Sequence, residues 1–149
     1  MTEGEKFTFK PVTQMTGREM FCVARLRIDT FVTEQEITVP ELDDEDLAAI
    51  QVYLLNDQKT NALAVCRIFQ EKGKWLLGRV AVAKTARGQK LGTKMMTQVH
   101  EYLRNQGVDR LYCHAQWQAK PFYDFLGYHT KGEPFTEADI KHVMMYKDL

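Results

Sequence analysis

The chain lacks long apolar runs and lacks an excess of either charge. Its uninterrupted apolar stretches are a few residues long, whereas a helix that crosses a bilayer needs about 20. Lys and Arg total 20 and Asp and Glu total 20, so the formal net charge is zero. A neutral molecule has no overall field that gathers anionic polymers. We therefore expect neither a membrane nor a nucleic acid as partner.

Signals for export, disulfides and metal ions are also missing. The first residues, MTEGEKFTF, contain no basic region followed by an apolar stretch, which favours a cytoplasmic location. Cys22, Cys66 and Cys113 are odd in number and dispersed, without C-x-x-C spacing. This pattern is typical of reduced thiols in a core and predicts no metal site.

The sequence has no internal repeat and no linker rich in Ser, Gly or Pro, so residues 1–149 are expected to form a single domain. Thr16 and Glu19 form a capping-box pattern ahead of a predicted helix at 17–31. A second helix is predicted from Leu91 to about Gly107, and a short third one at 119–125. Strands are predicted at 6–12, 50–55, 62–70, 75–82, 111–115, 128–131 and 142–146.

The most informative stretch is 78–93, where a strand runs through a short basic turn directly into a helix. Free N–H groups at a helix N-terminus and the helix dipole both favour an anion. Gly88 and Gly92 allow a ligand to approach the backbone closely, and the turn contributes lysine and arginine side chains with no carboxylate among them. Taken alone, this turn is either a phosphate site or a plain connection between two elements.

Two motifs in this region resemble those of the GNAT N-acetyltransferase superfamily. Residues 87–92, RGQKLG, resemble its [RQ]-x-x-G-x-[GA] motif, with Lys90 in place of the central glycine, so an unusual backbone angle is not expected there. Residues 119–128 resemble its A-x-x-x-Y-x-x-x-G-[FY] helix, although Gln116 replaces an Asn often found three residues earlier. The stretches 27–35, 41–46 and 140–143 are further similar to the ElaA-like branch.

The resemblance implies a fold and a co-substrate. The fold is α/β, with a mixed, mostly antiparallel central sheet of about six or seven strands, flanked by helices and splayed between strands four and five. The co-substrate is acetyl-CoA, whose pantetheine arm would pair with strand four and whose pyrophosphate would lie on the turn. The implied cofactor-binding positions are Val80, Val82, Arg87, Gly88, Gln89, Lys90, Leu91, Gly92 and Thr93.

Acetyl transfer to an amine needs a neutral nucleophile, a stabilised oxyanion and a protonated leaving thiolate. Tyr123 matches the family's tyrosine and is the expected general acid; alternatively it is an aromatic anchor of the core. The amide of Val82 is expected to meet the oxyanion. Glu34, His114 and His142 are candidate bases, with Glu34 and His114 favoured, and a water relay is equally compatible with the sequence.

Charge pairing points to the acceptor side. If residues 72–74 form a three-residue hairpin loop, Arg67 lies directly opposite Arg79, and an anion must separate them. The anion is a protein carboxylate such as Glu34 or an acidic group on the acceptor. The acidic segment 34–46 either attracts a cationic amine or is a solvated loop. The expected substrate-binding residues are Glu34, Arg67, Arg79 and His142.

The sequence therefore predicts an acetyl-CoA-dependent N-acetyltransferase that acts on a primary amine of a small molecule or amino sugar by direct attack. The alternative is a non-catalytic sensor that binds CoA or a nucleotide. A third hypothesis is a structural module that binds no cofactor. Acceptor sites in the family sometimes include a neighbouring subunit, so a homodimer is left open.

Overall fold

The computed structural model describes residues 5–149 and contains one seven-stranded sheet. The strands follow the order β1-β2-β3-β4-β5-β7-β6 across the sheet. Their bounds are β1 Thr8–Pro11, β2 Ile50–Leu55, β3 Ala62–Glu71, β4 Lys74–Val82, β5 Arg110–Gln116, β6 His129–Glu137 and β7 Ile140–Asp148.

Four α-helices and several shorter turns connect the strands. The helices are α1 Gly17–Ile28, α2 Glu45–Ala48, α3 Leu91–Arg104 and α4 Lys120–Phe125. Single 3-10 turns lie at Val12–Gln14, Lys84–Ala86 and Trp117–Ala119, and a π-helix lies at Asp29–Glu34. None of the helices within residues 5–149 is both long enough and apolar enough to cross a bilayer.

The sheet is antiparallel except where β4 meets β5. These two strands pair in parallel only from Trp75 to Leu77, opposite Leu111 to Cys113. Beyond that point β4 continues to Val82 and β5 to Gln116 without pairing to each other, while β4 stays paired with β3 and β5 with β7. The predicted mixed α/β fold, with its splay between strands four and five, is confirmed.

A β-bulge lies where β4 leaves β5. Val65 pairs with Ala81 and Arg67 pairs with Gly78, so two residues of β4 lie opposite the single residue Cys66. Arg79, one of the two, has a φ of 55°, in the left-handed region. A bulge bends its strand and increases its twist, which fits the divergence of β4 from β5.

The β3–β4 hairpin corrects the expected register. Glu71 pairs with Lys74, so the loop has two residues, Lys72 and Gly73, both with positive φ (52° and 78°). Such a turn matches the twist of a hairpin better than the expected three-residue loop. Arg67 therefore lies opposite Gly78, and the expectation that it lies directly opposite Arg79 is wrong.

Other boundaries differ at the ends of elements. The Thr16–Glu19 capping box is present, but α1 ends at Ile28 and the chain continues as the wider π-helix. Strand β6 extends to Glu137, well past its predicted end. Pro134 lies in this strand at the edge of the sheet, where a missing N–H is tolerated, and the register shifts between Lys131 and Phe135.

The core lies on both faces of the sheet. Helix α3 covers one face with Met95, Met96, Val99 and Leu103, all fully buried. Helix α1 covers the other face with Cys22, Val23 and Leu26. All three cysteines are buried and unpaired, as predicted, and burial raises the pKa of the Cys113 thiol to about 12.

Candidate functional site

The turn between β4 and α3, residues 87–93, carries a row of free backbone donors, and we call it the anion turn. Within the described chain, no N–H from residue 88 to residue 93 donates to a backbone carbonyl; the first such bond of α3 runs from Lys94 to Lys90. Gly88 and Lys90 have φ of 85° and 60°. The expectation of an ordinary angle at Lys90 is wrong, because entry into α3 requires the left-handed conformation whatever the side chain. Successive N–H groups at a helix start form an anion-binding concavity.

Gly92 brings the anion turn close to two neighbouring elements. A Cβ at this position would lie 3.3 Å from the Phe122 ring of α4 and 3.8 Å from the Val82 side chain of β4. The missing side chain therefore lets the start of α3, the end of β4 and helix α4 converge.

The end of β4 presents backbone groups to the gap between the strands. Ala83 donates its N–H to Leu63 of β3, over 2.9 Å, whereas the Val82 carbonyl accepts from Arg87 Nε, 3.1 Å away. Because the N–H and C=O of one strand residue point to the same side and neighbours alternate, the Val82 N–H points away from β3. Val80, the second residue of the bulge, lines the cleft that opens at this gap.

Arg87 is held by Glu34, at the end of the π-helix. Its two terminal nitrogens donate to the carboxylate oxygens at 3.1 and 2.9 Å. The hydrogen bond from Arg87 lowers the pKa of Glu34 below its ordinary value. Glu34 and Arg87 line a separate hollow with Lys84 and Thr85, apart from the other candidate bases. Glu34 was expected near the acceptor, and the structure places it beside the anion turn instead.

A cavity of about 670 Å³ opens where β4 and β5 diverge, and we call it the cleft. Tyr123 and Phe122 of α4, Val80 of β4 and His114 of β5 all line it. Its outer wall comes from the loop between the π-helix and α2, with Ile37, Val39, Pro40, Glu41 and Asp43. Phe122 contacts the position of Gly92 and also lines the cleft, so the anion turn and the cleft adjoin.

Tyr123 lies at the inner end of the cleft. Its side chain is 6% exposed, and its ring makes edge contacts with the rings of Phe122 and Tyr128 at 5.2 and 5.3 Å. Burial raises its pKa well above that of a free phenol, so the hydroxyl keeps its proton. Both the acid role and the anchor role fit this position, because the ring packs in the core and the residue borders the cleft.

Two histidines of the cleft flank one carboxylate, Glu137 at the end of β6. His114 Nδ1 lies 3.0 Å from Glu137 Oε1, and His142 Nε2 lies 3.9 Å from Glu137 Oε2. His142 Nδ1 donates to the Ile140 carbonyl, 2.7 Å away. The hydrogen bond to Glu137 raises the pKa of His114 despite its partial burial. Sequence reasoning missed Glu137, because the predicted strand ended at residue 131 and left Glu137 in the connection to the last strand.

An arginine cluster joins the outer loop to the sheet; it consists of Arg27, Arg67, Arg79, Glu41, Asp43 and Asp46. Arg27 binds Glu41 and Asp46, Arg67 binds Asp43 and Asp46, and Arg79 binds Glu41 and Asp43, at 2.6 to 3.4 Å. Burial pushes the pKa of Asp46 upward, but the hydrogen bond and charge of Arg27 outweigh it and lower that pKa.

The cluster corrects two expectations about charge. The carboxylate between Arg67 and Arg79 is Asp43, so the alternative of a protein carboxylate holds with Asp43 in place of Glu34. The acidic segment is neither free nor simply solvated, since four of its seven carboxylates pair with arginines: Glu34, Glu41, Asp43 and Asp46.

Residues 28–149 match the family model of the acetyltransferase (GNAT) domain. The chain belongs to the GNAT acetyltransferase family. It is 25% identical to Protein ElaA of Escherichia coli K12 over 141 residues, 92% of each chain. These findings confirm the predicted enzyme class and the ElaA-like branch.

Solved GNAT structures agree with this membership. An acyl-CoA N-acyltransferase from Pseudomonas aeruginosa superposes with a TM-score of 0.87 at 28% identity, over 95% of this chain and 98% of that one. Escherichia coli ElaA superposes with a TM-score of 0.85 at 22% identity over the same shares. A GNAT acetyltransferase uses an acyl-CoA as donor, and the anion turn and splayed strands are the features of this chain that fit such a molecule.

Proposed function

We propose that this GNAT protein transfers the acetyl group of acetyl-CoA to a primary amine of a small molecule or amino sugar. The observation that carries the proposal is the adjacency of the anion turn, with its six unpaired N–H groups from residue 88 to residue 93, to the cleft. A diphosphate bound at the turn and a pantetheine arm beside β4 would bring the thioester to the cleft.

The anion turn would hold the pyrophosphate through the N–H groups of residues 88–93 and the side chains of Arg87 and Lys90. The backbone of Val80 and Val82 would pair with the pantetheine amides. Arg87 now covers the Val82 carbonyl and binds Glu34. When acetyl-CoA binds, the Arg87 guanidinium would therefore leave the Val82 carbonyl and Glu34 and bind the diphosphate. The diphosphate carries more negative charge than Glu34 and forms charge-assisted hydrogen bonds.

The transfer step uses groups on both sides of the thioester. The amine nitrogen attacks the acetyl carbon, and the Val82 N–H stabilises the oxyanion that forms. The C–S bond then breaks, and Tyr123 donates its proton to the departing thiolate. The proton released by the amine passes to the base. Tyr123 recovers a proton from solvent or from the base, so the products are an N-acetylated amine and CoA.

Of the three candidate bases, His114 has the most suitable position. Glu137 accepts from His114 Nδ1 and thereby leaves the lone pair of the neutral ring on Nε2. His142 carries its proton on Nδ1, so its lone pair faces the Glu137 carboxylate. Glu34 lies outside the cleft. We therefore assign the base role to His114 and a positioning role to Glu137.

The experiment is a free-thiol assay with acetyl-CoA and a panel of primary amines, with calorimetry of CoA binding alongside it. We expect thiol release that depends on the amine, and an acetylated product by mass spectrometry. Tight CoA binding with no thiol release on any amine would contradict the proposal and favour a sensor.

A further inference from the structure

Both arginines that line the cleft are paired with carboxylates of the protein. Among residues 5–149, the lysines and arginines that line the cleft are Arg67 and Arg79 alone. Together with Arg27 they face Glu41, Asp43 and Asp46, so three cations meet three carboxylates and the arginine cluster is neutral.

The geometry leaves little room for a ligand to take over these contacts. Both terminal nitrogens of Arg67 donate to Asp43, at 2.6 and 3.2 Å, and its Nη1 also lies 3.0 Å from Asp46. Arg67 is 5% exposed. Arg79 Nε binds Glu41 at 2.9 Å. A carboxylate on an acceptor could pair with Arg67 only by displacing one of these groups, which would leave a partly buried charge without its partner. The Arg79 side chain is 25% exposed, but Glu41 and Asp43 already balance its charge.

The remaining charge of the cleft is negative. Glu71 lines it and makes no ion pair with any residue in the described part of the chain, and Glu137 faces only the two histidines and the more distant Arg79. Glu71 also raises the pKa of His114 through its charge, so it lies near the proposed base. An ammonium group is thus drawn to the side of the cleft that holds His114.

Most of the remaining wall is apolar, and its polar members are Gln35, Gln116 and Gln118. Phe69 and Leu76 pair across β3 and β4 and lie on the cleft, with Phe122 at the inner end and Val39 at the outer rim. Val39 is 48% exposed, which is high for an apolar side chain. Apolar contacts of this kind favour an acceptor with a hydrocarbon or aromatic body.

We propose that the acceptor is a small cationic amine with an apolar body and no carboxylate, and that amino acids are excluded because the arginine cluster offers them no free cation. This inference rests on the proposed function and narrows its substrate class. The inference predicts that simple alkyl- and arylalkylamines are acceptors and that amino acids of the same shape are not.

The test compares acceptors that differ only in the carboxylate: tyramine with tyrosine, and phenethylamine with phenylalanine. We expect kcat/KM to be more than tenfold higher for each amine, and tyrosine methyl ester to recover much of the loss, since the ester keeps the bulk without the charge. Equal rates within each pair, or a preference for the amino acid, would overturn the inference.

Asp43→Asn sharpens the comparison, because it removes the carboxylate charge that Arg67 and Arg79 share and leaves the arginine cluster with one cation in excess. We expect the amine-to-amino-acid ratio of kcat/KM to narrow several-fold in this variant. Asp44→Asn is the matched control, since Asp44 is adjacent and forms no ion pair in the described part of the chain. An unchanged ratio in Asp43→Asn, with folding verified by circular dichroism, counts against the cluster as the origin of selectivity.

Calorimetry of the same acceptors in the presence of CoA keeps this inference separate from the proposed function. Absence of thiol release with every amine contradicts the function, and the binding preference still decides the acceptor class. Binding of tyrosine as tight as that of tyramine, or binding of neither, overturns the inference whether or not turnover occurs.

Discussion

Glu34 and Arg87 share two hydrogen bonds, of 2.9 and 3.1 Å, that join the end of the π-helix to the anion turn. The same arginine covers the Val82 carbonyl. Any anion that binds the turn through Arg87 competes with Glu34 for the guanidinium. Under the proposed function, the pair opposes the binding of acetyl-CoA, and it does so weakly because both side chains are partly exposed.

Glu34→Gln should tighten CoA binding a few-fold, because Arg87 loses its competing partner. Calorimetry with CoA measures this effect, and kcat for acetyl transfer should stay near the wild-type value. Glu36→Gln, a nearby exposed carboxylate, should change neither quantity. A fall in kcat of a hundredfold or more in Glu34→Gln would instead make Glu34 the base.

Lys90→Gly should raise the free energy of unfolding by up to about 1 kcal/mol, because a left-handed lysine is strained and glycine is not. The same change removes a cation, so CoA should bind less tightly and with a weaker dependence on salt. Thermal unfolding and calorimetry measure the two effects.

Lys90→Ala is the matched control for that experiment, since alanine removes the charge and keeps the backbone strain. It should weaken CoA binding without stabilising the protein. Equal stability of the glycine and alanine variants would show that the left-handed conformation costs nothing here.

Tyr123→Phe should lower kcat by about 10²-fold, the usual contribution of a positioned general acid. The dissociation constant of acetyl-CoA should hardly change, because the aromatic ring still fills its place in the core. Tyr102→Phe should leave kcat unchanged, because Tyr102 of α3 stacks on Phe9 of β1 and does not line the cleft. An unaltered kcat in Tyr123→Phe would reduce Tyr123 to a packing role.

Glu137→Gln should shift the acidic limb of the kcat/KM profile to lower pH. The base must be neutral to accept a proton, so the rate rises as pH increases through the pKa of His114. Glu137 raises that pKa, and glutamine removes the charge that does so. Nitrogen NMR should report the same downward shift of the His114 pKa without any turnover, and His129→Gln, remote from the cleft, should leave the profile in place.

The low pKa of His100 predicts that the protein becomes less stable in mild acid. Burial, assisted by Lys147 and Arg104, lowers its pKa from 6.5 to about 4. Between those values the unfolded chain binds the proton first, so the free energy of unfolding falls as pH decreases, by about 3 kcal/mol at most. His100→Gln should show a smaller decline from pH 6.5 to 4 in urea titrations; an identical decline would mean that His100 does not drive it.

Local patterns predicted the elements better than the site. The capping box at Thr16 and Glu19, the apolar stripe of α3 and the turn at residues 87–93 each depend on neighbours within a few residues, and the structure has all three. The same local logic misjudged Lys90, where the path of the chain into α3 overrode the preference of the side chain.

The contacts of the cleft are long-range and had no such signal. Arg67 meets Asp43 across 24 residues, and His114 meets Glu137 across 23. One residue in the β3–β4 loop was enough to displace the expected partner of Arg67. Which carboxylate neutralises which arginine follows from the register and the path of the outer loop, and neither is encoded in short spacing.

The bulge at Arg79 makes the opening in the sheet a matter of how many residues β4 contains. The extra residue bends β4 close to the point where its pairing with β5 ends at Leu77, and in the proposed function acetyl-CoA and the amine meet in the gap beyond that point. The gap between β4 and β5 is therefore determined by the main chain, whereas the charge and the apolar character of the cleft are determined by side chains. Changes in the outer loop of this chain would therefore alter the lining of the cleft and leave the gap between β4 and β5 in place.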